Sequence, residues 1–171
     1  MSDNIWTLTN RADWKVSRLA DRHYSRQKIG ARQFSPPGQP IVLYIPNPFD
    51  EDIAWAGWVW WRPFPGKAHR FDGFDGWYCC SLFRNESPIQ SSELIRHSIP
   101  WVNAAWGLPE FGYDTYVWGE KVRSTNPGYC YQVVGWEKAG YSKDKKKRRL
   151  IRPIEKCSES ELWTPAIERA N

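Results

Sequence analysis

Two sets of residues in this 171-residue chain have types and spacings suited to chemistry. The first is Phe83-Arg84-Asn85-Glu86-Ser87-Pro88-Ile89-Gln90-Ser91-Ser92-Glu93-Leu94-Ile95, which reads as a strand, a polar turn and the start of a helix. The leading amides of a helix have no carbonyl partners and lie at the positive end of its dipole, so a phosphate is a natural guest. Arg84 and the hydroxyls of Ser91 and Ser92 add donors to such a site. Serine is also a preferred cap, and capping and phosphate contact can coexist. The second set is His23-Tyr24, next to Arg22 and Arg26, whose plain reading is a partly buried histidine and a core tyrosine.

Charge and aromatic content suggest a partner. The net charge is +5, with the basic excess in Lys143–Arg149 and Arg11–Arg32, and the chain holds 12 Trp and 8 Tyr. Phosphates pair with Lys and Arg, and unstacked bases lie on aromatic faces, so this combination suits nucleic acid. Arg26, Lys28 and Arg32 in one segment, and Lys145, Lys146, Lys147 and Arg148 in the other, are the candidate phosphate contacts. The alternative for the second is a solvated hairpin. Trp58, Trp60 and Trp61 are candidate stacking platforms or core. The four cysteines form no C-x-x-C pair, which argues against zinc and a disulfide frame. His69 and His97 read as structural.

The elements that must position these residues follow from punctuation and periodicity. Thr9 or Asn10 can cap a helix running to about Tyr24, with Asp13 in its first turn and Trp14, Leu19 and Ala20 near one face. A basic, Pro- and Gly-containing loop over 25–40 joins it to a sheet. Apolar runs at Ile41–Ile45, Ile53–Trp61 and Gly76–Phe83 read as strands. A helix from about Ser91 to Trp106 is expected to kink at Pro100. Tyr113–Trp118 is a further strand, Tyr129–Val134 a short helix, and Leu150-Ile151 the centre of a last strand. Tyr129 and Tyr131 face different directions on their helix, so at least one belongs to the core. The size predicts one domain over 1–171, with about 153–171 a loosely packed tail. No apolar run is long enough for a bilayer span, and the first residues lack the features of a signal peptide. A cytoplasmic protein is therefore expected.

Two resemblances add to this reading. Asn126-Pro127-Gly128-Tyr129 through Gly135-Trp136-Glu137-Lys138-Ala139-Gly140 resembles the C-terminal motif of GNAT-type acyltransferases, in which an Asn precedes a short Tyr-bearing helix. The preceding strand–turn–helix then corresponds to their acyl-CoA pyrophosphate site. His23-Tyr24-Ser25-Arg26, the Pro37-Gly38 turn, Phe83-Arg84-Asn85-Glu86-Ser87, Ser91-Ser92-Glu93-Leu94-Ile95 and Thr115-Tyr116-Val117, in this order, resemble the Mom family of phage and prophage DNA-modification proteins. That family is a divergent GNAT branch that modifies the N6 amine of adenine and protects phage DNA from restriction.

The resemblance implies an α+β fold with a central mixed, mostly antiparallel sheet flanked by helices. It implies double-stranded DNA and an acyl-CoA donor as partners, with acetyl-CoA and iron as cofactors. Arg84, Ser91, Ser92 and Asn126 then contact the donor, and Tyr129 or Tyr131 protonates the departing thiolate. His23 and Tyr24 become catalytic, and with Asp114 they become iron ligands. One departure from ordinary GNAT enzymes is plain: their pyrophosphate loop is glycine-rich, and Ser87–Ser92 contains no glycine. The alternatives are a conventional N-acetyltransferase acting on a small amine or a protein, and a DNA-binding protein without catalysis.

Overall fold

In the computed structural model, which describes residues 5–162 except 25, 27 and 67, the chain runs β1 (Thr7–Thr9), α1 (Trp14–Ala20), β2 (Gln39–Ile45), β3 (Ala56–Arg62), β4 (Trp77–Asn85), α2 (Ser91–Trp106), β5 (Gly112–Val117), α3 (Tyr129–Val133), β6 (Glu137–Tyr141), β7 (Arg148–Pro153) and α4 (Glu159–Leu162). Side chains alternate across a strand, so each strand serves two faces. On β2, Ile41, Leu43 and Ile45 turn to one face and Val42 to the other. The antiparallel register sets Leu43 opposite Trp58 and Val42 opposite Val59, which continues both sets across β3. The first face, with Trp58 and Trp60 fully buried, packs against Leu94, Ile95, Ile99 and Val102 of α2 and Tyr131 of α3. The second packs Val42, Val59 and Leu82 against Val16, Leu19 and Ala20 of α1.

All seven strands form one sheet in the order β1-β2-β3-β4-β5-β7-β6, and only the central β4/β5 pair is parallel. This is the mixed, mostly antiparallel α+β sheet that the sequence predicts. A parallel pair needs a crossover, and α2 supplies it. Its pairing is short: Trp77 through Cys80 lie opposite Gly112 through Thr115 and then the ladder stops, although β4 continues to Asn85 and β5 to Val117. At the same point β4 carries a bulge on its other side. Trp60 faces Cys80 and Val59 faces Leu82, which leaves Ser81 without a partner strand residue.

Several boundaries differ from expectation, each for a local reason. Asp13, rather than Thr9 or Asn10, caps α1 by accepting the Lys15 amide, while Thr9 belongs to β1 and donates its hydroxyl to Asp13. The helix ends at Ala20, so His23 and Tyr24 lie in the turn beyond it, and Trp14 is exposed. Strands β1 and β6 have no counterpart in the sequence reading, since neither three polar-flanked residues nor Glu-Lys-Ala-Gly-Tyr shows an apolar alternation. Helix α2 runs through Pro100 as one element. Beyond Pro153, Arg152 pairs with Glu161 of α4 at 2.9 Å; residues 163–171 of the expected tail lie outside the described residues. Among the described residues no helix is long and apolar enough to cross a membrane.

Gly112 starts β5 at φ 146°, and a methyl group there would overlap the Arg152 carbonyl and Pro153. Gly112→Ala is expected to cost about 1–3 kcal/mol through backbone strain. A lowered thermal midpoint is the expected readout, and an unchanged one would show that this strand start can shift freely.

Candidate active site

The early end of the β4/β5 ladder leaves a split in the sheet at the C-terminal ends of its two parallel strands. A cavity of about 140 Å³ occupies it, bordered by Ser81 and Phe83 from β4, Thr115 and Val117 from β5, and Cys130 and Tyr131 from the following segment. A second cavity, of about 490 Å³, shares His23, Tyr24, Cys80, Ser81 and Tyr116 with the first. Ligand pockets typically run about 300–1,000 Å³. A third, lined by Arg26, Lys28 and Phe34 among others, shares Pro36, Ser81 and Lys147 with the second. The bulged Ser81 borders all three, and bulges are found beside active sites because they re-aim a side chain.

His23 and Tyr24 straddle the split. His23 hydrogen-bonds the Phe83 backbone on β4, and the Tyr24 hydroxyl donates to the Tyr116 carbonyl on β5 at 3.3 Å. Their ring centroids are 4.1 Å apart. Burial, aided by the charges of Arg84 and Lys147, lowers the His23 pKa to about 4, against the opposing bond to Phe83. Burial likewise raises the Tyr24 pKa to about 12. At neutral pH both rings are therefore uncharged. A neutral imidazole has one N–H nitrogen and one nitrogen with a lone pair.

The wall of the larger cavity comes from the loop between β3 and β4. Arg70 of this loop is buried and holds Asp114 of β5 bidentately, Nη1 to Oδ1 at 2.8 Å and Nη2 to Oδ2 at 2.9 Å. It also holds Asp72 through Nε at 2.9 Å. Asp72 accepts the Tyr116 hydroxyl at 2.8 Å, and Arg149 of β7 donates to Asp114 at 3.0 Å. Sequence reading missed Arg70, Asp72 and Tyr116 as site-forming residues. Arg-x-Asp in a Pro- and Gly-rich loop has no periodicity to mark it, and its partner lies 44 residues away.

Asp114 is consequently not a metal ligand. Its two carboxylate oxygens are engaged by two guanidinium groups, and its side chain is fully buried. The Tyr24 phenol stays protonated and donates to a carbonyl. Among the described residues no three His, Cys, Asp or Glu side chains are grouped to hold a metal. The donor set expected for iron does not fit this arrangement.

The two candidate tyrosines separate. Tyr131 is 5% exposed, borders the smaller cavity and lies within hydrogen-bond reach of Cys80 and Thr115, while Tyr129 is 61% exposed and points to solvent. Burial holds the Tyr131 phenol firmly protonated. Asn126 does not cap α3: Gly128 occupies the cap position in a left-handed conformation, and Asn126 accepts the Tyr129 amide through its backbone carbonyl.

At the β4–α2 turn, Arg84 is committed to Glu86 at 2.7 Å and to the Arg22 carbonyl at 2.9 Å, so it is not a free anion contact. Ser91 accepts from Asn85 at 3.1 Å, and neither Ser91 nor Ser92 is the cap. The cap residue is Gln90, which makes no side-chain capping bond. The leading amides of this 16-residue helix therefore have no capping side chain over them, and they follow directly from the strand that borders the split. Such uncapped amides suit a phosphate.

The basic candidates also divide. The Arg26 side chain is 6% exposed and bonded to Asp21 at 2.8 Å, to the Gln33 carbonyl at 2.7 Å and to the Ala31 carbonyl. It ties down its own loop and has nothing left for phosphate. Arg32 and Lys28 are exposed, Lys28 at the third cavity. Lys145 sits at the tip of the β6–β7 turn with φ 61°. Lys146 and Lys147 lie over the Trp118 ring at 5.9 and 5.6 Å. Arg148 stacks on Tyr141. Trp58 and Trp60 are core, whereas Trp61 borders the larger cavity. Ser25, within the motif that begins at His23, is outside the described residues.

A crystal structure of an acyl-CoA N-acyltransferase from Pseudomonas aeruginosa is similar to this chain, with a TM-score of 0.55 and 11% sequence identity, covering 85% of this chain and 97% of the other. The chain therefore shares the fold of that structure. No protein-family model matches the chain, and no curated protein sequence matches it.

Proposed function

We propose that the chain is an acyl-CoA-dependent N-transferase whose acceptor is the N6 amine of adenine in DNA, the modification through which phage and prophage DNA escapes restriction. The observation that carries this reading is that the β4/β5 split shares His23, Tyr24, Cys80, Ser81 and Tyr116 with a larger, aromatic and basic cavity. The split suits the donor. The cavity, with Trp61 and Tyr116 in its walls and Lys143 and Lys147 at its edge, suits a planar base and its phosphates.

A bound acyl-CoA supplies a thioester carbonyl as the electrophile. The adenine amine is a poor nucleophile because its lone pair is delocalised, so positioning against that carbonyl is the first task of the site. The nitrogen becomes strongly acidic once its bond to carbon forms. Neutral His23, although a weak base, can then accept the proton on the ring nitrogen that carries the lone pair. As the carbon–sulfur bond breaks, the proton taken up by His23 passes to the departing thiolate, which the Tyr131 phenol in the split can hydrogen-bond. Ser81, left without a partner by the bulge, borders the same space, and its backbone amide is the candidate donor for the carbonyl oxygen.

Expression in a bacterial host, nuclease digestion and mass spectrometry of the nucleosides test the proposal. A deoxyadenosine derivative of higher mass is expected with the parent and not with His23→Ala. An unchanged nucleoside profile with the parent, in a host whose acyl-CoA pool is intact, would sink it. A mass gain on a small amine or a protein instead would assign the same fold to a conventional acceptor.

The β6–β7 turn gives a separate prediction. Replacing Lys145, Lys146 and Lys147 by Gln is expected to weaken duplex binding most at low salt. The slope of log affinity against log salt should shrink by roughly 0.9 for each phosphate that the variant no longer neutralises. A slope equal to the parent's removes the turn from the footprint.

A further inference from the structure

The tip of the loop between β3 and β4 sets side chains of opposite character in consecutive positions. Arg70 is 4% exposed and fixed to Asp114 and Asp72, and Asp72 is in turn fixed to Tyr116. Between them Phe71 is 89% exposed. Tethered neighbours on both sides fix the place of the Phe71 backbone at the loop tip. Phe71 also stands on the rim of the 490 Å³ cavity. Lys143 covers one side of it, with Nζ 4.7 Å from the ring centroid and 3.0 Å from the Phe71 carbonyl that accepts from it.

We propose that Phe71 is a wedge that enters the base stack of duplex DNA and fills the gap left when a base turns into the adjacent cavity. This rests on the nucleic-acid reading of the cavity. Extruding a base breaks its stacking on both sides, and an apolar side chain inserted at the step offsets part of that loss. Insertion also takes the Phe71 ring out of water. The Arg70–Asp114 and Asp72–Tyr116 contacts hold the loop backbone that carries Phe71 against the cavity. Lys143, already against the ring, lies where a phosphate of the opened step would pass.

Duplex oligonucleotides carrying 2-aminopurine in place of adenine, with each of the four bases as its 5′ neighbour, test this with the full chain; the matching single strands are the control. 2-Aminopurine brightens when it leaves the stack. The wild-type protein is expected to brighten the duplex, and Phe71→Ala to reduce the extruded fraction about tenfold, the effect of removing one stacking aromatic. Phe71→Trp should retain the signal, and single-strand binding, followed by anisotropy, should be unchanged in both variants. Because the ring is exposed, neither substitution should shift the thermal midpoint. Brightening by Phe71→Ala equal to wild type overturns the wedge and leaves the nucleic-acid reading standing. Equal losses on duplex and single strand overturn it in favour of a stacking platform inside the cavity. A wild-type protein that neither binds nor brightens any duplex overturns both.

Discussion

Asp114→Ala is expected to lower the free energy of unfolding by about 3–5 kcal/mol, the cost of leaving buried charge without its partner. The carboxylate sits between Arg70 and Arg149, all three nearly inaccessible to water. Removing it strands two guanidinium groups at once. Denaturant unfolding monitored by tryptophan fluorescence measures this directly, and a loss below about 1 kcal/mol would show that water reaches the pair and that burial does not dominate. The same variant separates two readings of Asp114. A metal ligand would be revealed by lost metal content in a protein of normal stability, whereas the observed ion pairs predict the reverse. Asp72→Asn should cost less, because its carboxylate is partly exposed and Arg70 keeps Asp114.

His23→Gln is expected to slow group transfer by roughly two to four orders of magnitude, the usual contribution of a positioned acid or base. Its pH signature distinguishes this from simple loss of packing. With a pKa near 4, His23 is already neutral throughout the physiological range. The wild-type rate should therefore show no acid limb near pH 6.5, where an exposed histidine would titrate. Stability carries the complementary signature. The folded state binds the proton less well than the unfolded chain, so stability is full above about pH 6.5 and falls as pH drops toward 4. Below that it levels off about 3 kcal/mol lower. The Gln variant should lack that slope. A wild-type rate that halves near pH 6.5, or a variant with the same acid-stability slope, would show that His23 titrates as a solvent-exposed group.

The sheet was legible from sequence because its core strands obey simple rules. Ile41–Ile45 and the run ending at Trp61 carry the apolar residues that one buried strand after another demands, and α2 announced itself through Leu94, Ile95, Ile99 and Val102 at helical spacing. Strands β1 and β6 were hidden because edge strands bury one face at most, and their sequences answer to hydrogen bonding rather than to packing. The candidate site was legible in part. His23 and Tyr131 do meet at the same cavity, because each lies in a segment whose local pattern fixes its place. Arg26, Arg84 and Asp114 were misread for one common reason. A charged residue in a sequence advertises a charge, but whether that charge is taken up by an internal partner depends on residues such as Asp21, Glu86 and Arg70. Those partners come near only when the chain is folded.

The split between β4 and β5 has one more consequence. It gives this protein two strand edges in its interior, each with backbone groups that would recruit any extended chain offered to them. Outer edges can be guarded by charge or by brevity, but an inner edge that must admit a ligand cannot be walled off. Here the guard is two adjacent side chains, one hydrogen-bonded to each edge. His23 and Tyr24 thus cover one inner edge each. Loss of both rings should show first as concentration-dependent aggregation of otherwise folded protein.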